Sequence, residues 1–184
     1  MQKLIYYLPG YGGRLTTGLG LALSERGLKI AGRETVDNFR SLPFSEQVEL
    51  IAADLRTDFW TKDALVIANS FGGYLFLNAQ ALLPSYPGRA LILSPIVGEF
   101  ASENAETFFS PPYPDKLRKL AEAGTFPTPC HAQIYVGEKD WQSVPENVRR
   151  FGELTAIPVT IVPDAGHMLP KSYVSDLLDR WLKI

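Results

Sequence analysis

Ser70 stands where a short apolar run, Ala64-Leu65-Val66-Ile67-Ala68-Asn69, meets the almost wholly apolar stretch Phe71-Gly72-Gly73-Tyr74-Leu75-Phe76-Leu77. The first stretch has the composition of a buried parallel strand and the second reads as a buried helix. A serine at such a turn presents its hydroxyl at the carboxyl end of a strand. It also faces a helix N-terminus, where the helix dipole favours developing negative charge. The turn needs small residues two positions either side, and Ala68 and Gly72 supply them. A serine hydroxyl is a poor nucleophile at neutral pH, so it needs a neighbouring base. His167 follows the run Val159-Thr160-Ile161-Val162-Pro163, and Gly166 gives its backbone freedom to aim the ring. Asp140 lies just past the strand candidate Ala132-Gln133-Ile134-Tyr135-Val136. There it is placed to fix an imidazole tautomer and to stabilise the imidazolium. Glu138 and Asp164 are its competitors for that role.

The rest of the composition narrows the field. The chain has 184 residues, enough for one domain with a sizeable core. Its net charge of −2, from 18 basic and 20 acidic residues, argues against a nucleic-acid footprint, as does the lack of a dense Lys/Arg cluster. One cysteine, Cys130, permits no internal disulfide and fits a reducing, cytoplasmic compartment. With two histidines and one cysteine no metal cluster is expected. The N-terminal apolar run is too short for a leader, and no run reaches membrane-spanning length.

The elements that must hold these residues alternate along the chain. Leu4 to Leu8 reads as a central strand, ending in the loop Pro9-Gly10-Tyr11-Gly12-Gly13. That loop lacks the spacing of a phosphate-binding loop. Leu15, Leu19, Ala22 and Leu23 predict a helix closed by Gly27, and residues 28–34 a weak strand. Ser45 is placed to cap a helix with the stripe Val48, Ile51, Ala52, Leu55 and Phe59. Arg89 to Ile96 predicts a further strand. Residues 98–129 are irregular and aromatic, with one helix near 115–123. Ser143-Val144-Pro145-Glu146 has the form of a capping box, which makes Glu146 structural. His131 beside Cys130 opens its strand at the end away from Ser70. Val174, Leu177, Leu178, Trp181 and Leu182 share one face of a last helix.

From Leu4 to Trp181 the chain resembles the α/β-hydrolase superfamily in a small, near-minimal form. The resemblance rests on Ala68-Asn69-Ser70-Phe71-Gly72, close to Gly-x-Ser-x-Gly, and on the order Ser70, Asp140, His167. Ala68 replaces the first glycine of that motif. Pro9 stands where the family's oxyanion loop carries histidine, and the family's first antiparallel hairpin has no counterpart. The resemblance implies an α/β fold with about six parallel strands in the order 2-1-3-4-5-6, helices on both faces, and residues 98–129 as a short cap. It implies Ser70 as nucleophile, His167 as base and Asp140 as acid. The backbone N–H groups of Tyr11 and Phe71 would form an oxyanion hole. It implies hydrolysis of a small ester-like substrate, a thioester or amide being further options, without a cofactor. Tyr11, Trp141, Met168, Phe108 and Phe109 are candidates to line an apolar pocket. Acyl transfer or carbon–carbon bond hydrolysis by the same residues stays open, as does a binding protein on the same fold. Oligomeric state is not legible.

Overall fold

A computed structural model describes residues 3–101 and 110–183. Phe108 and Phe109 lie outside the described residues. The elements run β1 (Leu4–Leu8), α1 (Gly18–Glu25), β2 (Lys29–Gly32), α2 (Asp37–Ser41), α3 (Phe44–Asp58), β3 (Leu65–Asn69) and α4 (Phe71–Gln80). They continue β4 (Arg89–Leu93), α5 (Lys116–Glu122), β5 (His131–Gly137), α6 (Pro145–Thr155), β6 (Val159–Val162) and α7 (Lys171–Trp181). The strands form one six-stranded sheet in the order β2-β1-β3-β4-β5-β6, the expected one. All five strand pairs are parallel.

Alternation along the strands divides the core in two. Tyr6 and Leu8 of β1, Val66 and Ala68 of β3, and Ala90 and Ile92 of β4 face α3, α4, α5 and α6. Ile5, Tyr7, Leu65, Ile67, Leu91 and Leu93 face the other way, against Leu23 of α1 and Leu177, Leu178 and Trp181 of α7. Every residue of α4 is buried, as a helix that is apolar all round must be. Tyr6 donates its hydroxyl to Asp54, 2.6 Å away, and Arg33 grips the same carboxylate with two contacts of 2.7 Å. This network ties β1 and the end of β2 to α3. Burial and the Asp54 carboxylate push the Tyr6 hydroxyl far above its ordinary pKa, so it remains a donor.

Strand order reverses at β1. From there the chain moves out to β2 and then back across to β3. In an open parallel sheet the crevice beyond the carboxyl ends of two such strands is where ligands bind. The Pro9–Gly13 loop leaves β1 at that crevice, and Ser70 leaves β3 beside it.

Two helix starts differ from expectation. Pro43 and Val144 occupy the N-cap positions of α3 and α6, and neither helix has a side-chain cap. Ser45 therefore lies inside α3, and Ser143 precedes the cap of α6. Glu146 pairs with Arg149 at 2.5 Å instead of reaching back to the start of the helix. The short α2 has no counterpart in the sequence reading, because five residues carry no period. No helix among the described residues is long and apolar enough to cross a membrane.

Candidate active site

Ser70 is the residue between β3 and α4, with φ 53° and ψ −117°. A non-glycine residue held there costs about 1–3 kcal/mol and persists only where its surroundings over-determine it. They do so here. Its N–H donates to the Leu93 carbonyl at 2.9 Å, continuing the sheet by one bond. Its carbonyl accepts from Tyr74 N at 3.1 Å and from Ile96 N at 3.4 Å. The hydroxyl is thereby aimed out of the sheet, and Ser70 Oγ lies 2.7 Å from His167 Nε2.

Gly72 shows why the turn needs a small residue on its helical side. A Cβ there would lie 2.2 Å from the Leu8 carbonyl oxygen and 2.5 Å from that of Pro9. The first turn of α4 therefore rests directly on the backbone that leads into the Pro9–Gly13 loop. Ala68 is accommodated in full burial on β3, so the motif tolerates its one extra methyl.

His167 sits on the loop after β6, and Asp140 on the loop after β5. His167 Nδ1 is 2.9 Å from both carboxylate oxygens of Asp140. The Asp140 side chain is fully buried and the His167 side chain 15% exposed. A buried carboxylate needs donors around it. Asp140 Oδ1 accepts from the backbone N–H groups of Gln142 and Ser143, each at 2.9 Å. The two loops touch main chain to main chain. A Cβ on Gly137 would lie 2.3 Å from the Gly166 carbonyl oxygen and 2.4 Å from that of Ala165. Lys139 N also donates to the Ala165 carbonyl at 2.8 Å.

The rival acids are elsewhere. Asp164 is 84% exposed and pairs with Lys139 at 2.7 Å. Glu138 accepts from the backbone N–H of Asp164. His131 opens β5 opposite Arg89, at the far end of the sheet, and is exposed beside exposed Cys130. No group of three or more His, Cys, Asp or Glu among the described residues could hold a metal ion.

Tyr11 lies in the loop after β1, and Phe71 is the first residue of α4. Thr35, buried and unremarked in the sequence, pins that loop. Its hydroxyl donates to the Gly10 carbonyl and accepts from Gly13 N, and its backbone carbonyl accepts from Gly12 N at 3.1 Å. These contacts cross 22 to 25 residues of chain, and no local pattern signals them.

Beside Ser70 the aromatic side chains are continuous. The rings of Tyr11 and Phe71 are 5.7 Å apart, edge to face. Phe44 stacks on Tyr74 at 5.3 Å and meets Phe71 and Tyr113 at 6.3 Å each. Tyr113 belongs to the aromatic stretch 98–129, whereas nothing in the sequence marks Phe44. Phe44 opens a helix whose apolar stripe accounts for it equally well, and Tyr113 lies in an irregular stretch. Trp141 meets Phe100 at 5.7 Å. Met168 is 85% exposed. The Tyr74 hydroxyl donates to the carbonyls of Pro112 and Tyr113, which seats this part of the chain on α4.

No protein-family model matches the sequence, and no curated protein does. Solved structures do match the fold. The ydeN gene product of Bacillus subtilis matches with a TM-score of 0.69 at 14% identity, over 100% of both chains. The carboxylesterase CesB of Bacillus subtilis matches at 0.70 and 14% identity, over 98% of this chain and 84% of its own. MGS-MChE2, an α/β-hydrolase enzyme from a lagoon-sediment metagenome at Mar Chica, Morocco, matches at 0.65 and 20% identity, over 100% and 91%.

Proposed function

Taking the α/β-hydrolase fold of this chain as premise, we propose that it is a serine hydrolase. Its substrates would be small carboxylic esters, or thioesters or amides, with an apolar acyl or alcohol part. One observation carries the reading. Ser70 Oγ, the two nitrogens of His167 and the Asp140 carboxylate form an unbroken line, with contacts of 2.7 and 2.9 Å. It lies at the carboxyl edge of the sheet. Asp140 accepts the hydrogen bond from Nδ1–H, which leaves the Nε2 lone pair facing Ser70. His167 takes the serine proton as Oγ attacks the carbonyl, then returns it to the leaving group. Water, activated by the same imidazole, releases the acyl group. The backbone N–H groups of Tyr11 and Phe71 hold the oxyanion, assisted by the α4 dipole. The exposed ring of Tyr11, backed edge to face by Phe71, receives the apolar part of the substrate. Residues 98–129 act as a partial cap, a role supported by Tyr113 against Phe44 and by the Tyr74 bonds to the insertion.

A fluorophosphonate probe should label Ser70, and p-nitrophenyl esters of graded chain length should be turned over with a preference for apolar acyl chains. Absence of both labelling and turnover would sink the assignment. Transfer of the acyl group to an added alcohol in preference to water would move it to acyl transfer.

Gly137→Ala tests how far the reaction depends on loop contact. The new methyl meets the carbonyls of Ala165 and Gly166, so the His167 loop must move. A displacement approaching 1 Å costs on the order of a hundredfold in kcat. Steady-state kinetics beside a circular-dichroism melt would check it. Unchanged kcat in a folded variant would mean that the two loops are not tightly coupled.

A further inference from the structure

Ser143 has the sequence position of a helix cap, yet it does not cap. The N-cap of α6 is Val144, and the Ser143 side chain is directed elsewhere. Ser143 is fully buried. Its hydroxyl donates to the Ser94 carbonyl at 2.6 Å, and its backbone N–H donates to Asp140 Oδ1 at 2.9 Å. The same hydroxyl oxygen lies 3.4 Å from His167 Nδ1. Ser94 directly follows β4 and has a φ of 43°. Its predecessor Leu93 accepts the Ser70 N–H. One residue therefore connects the acid, through its backbone N–H, with the imidazole and the strand next to the nucleophile, through its hydroxyl.

We propose that Ser143 is a positioning residue for the His167 ring, an inference that rests on the hydrolase reading above. The Ser143 proton is committed to the Ser94 carbonyl, so its oxygen faces Nδ1 as a lone pair. With both Asp140 oxygens, that surrounds Nδ1 with acceptors alone. The ring is then held in the tautomer that carries its proton on Nδ1, with Nε2 open to Ser70. The bond to Ser94 also fixes the distance between the acid loop and β4. It thereby sets the separation between His167 and the serine whose backbone is anchored to the same strand. No bond to substrate is made or broken by Ser143. The charged groups nearest this cluster on the two loops are Asp140 itself, the exposed Lys139–Asp164 pair and Glu138.

The test compares Ser143→Thr with Ser143→Val. The two substitutions are nearly the same shape and impose the same extra methyl on a packed site, and only threonine keeps the hydroxyl. With a p-nitrophenyl ester, the valine variant should show a kcat lower than the threonine variant by about tenfold or more, at similar KM. The His167 Nδ1 proton resonance should be sharp in the wild type and the threonine variant and broadened in the valine variant. Ser143→Ala, which adds no bulk, should follow valine. Equal kcat and equal Nδ1 proton line shapes in the threonine and valine variants would overturn the proposal. If the wild type hydrolyses no ester, the hydrolase reading falls on its own. The line shapes then decide whether Ser143 holds the ring.

Discussion

Ser70→Ala should abolish ester turnover and fluorophosphonate labelling in a protein that still folds. The loss should be on the order of a million-fold, the size found when one member of such a serine–histidine pair is removed. The substitution deletes the oxygen 2.7 Å from His167 and leaves the backbone bonds to Leu93, Tyr74 and Ile96 in place. Alanine at φ 53° carries much the same strain as serine, so the melting temperature should change little. His167→Ala should be comparably damaging, whereas His131→Ala, at the far end of the sheet, should leave the rate intact. Turnover in Ser70→Ala at the wild-type rate would end the serine-hydrolase reading.

Asp140→Asn should lower kcat on the order of ten-thousand-fold while preserving the shape of the site. An asparagine amide turned toward Nδ1 donates where the carboxylate accepted. The imidazole would then carry its proton on Nε2, and the nitrogen facing Ser70 would have no lone pair to receive the hydroxyl proton. The Gln142 and Ser143 N–H groups already occupy Oδ1, which favours the asparagine carbonyl on that side and its amide toward the ring. Asp164→Asn and Glu138→Gln should have far smaller effects, because Asp164 is a solvent-facing partner of Lys139 and Glu138 serves the backbone of Asp164. Kinetics of the three variants on one ester decide the matter. If Asp164→Asn were the crippling change, the acid would be misassigned.

Much of this arrangement was legible because it follows from short apolar strands alternating with amphipathic or buried helices. That pattern permits few topologies once crossovers are right-handed. Ser70, Asp140 and His167 could be singled out because each follows a recognisable strand at its carboxyl end. Local patterns failed where tertiary contacts outcompeted them. Ser45 and Ser143 both had the form of caps. Pro43 and Val144 take those positions, and the Ser143 hydroxyl is drawn to a carbonyl 49 residues away. Thr35 was silent because its partners lie across the chain. Phe44 was silent for a different reason: a residue on an apolar helix stripe carries no mark of which neighbours it meets. Phe108 and Phe109 lie outside the described residues, so their sequence assignment remains a proposal.

The missing side chains at Gly72 and Gly137 have a consequence for how freely this sequence can drift. The Ser70 turn is set by an α4 backbone lying on the Leu8 and Pro9 carbonyls. The histidine loop is set by Gly137 lying on the carbonyls of Ala165 and Gly166. Contacts between main-chain atoms are written in no side chain, so substitutions elsewhere can accumulate without disturbing them, provided the core stays filled. A mutational library over this chain should therefore be lopsided. Broad tolerance would cover most of the apolar positions, and sharp intolerance would fall not only on Ser70, Asp140 and His167 but also on glycines such as Gly72 and Gly137, which contribute no side-chain atom to the chemistry. A chain sharing 14% of its residues can still superpose over its whole length. That is the outcome such a distribution of constraint allows.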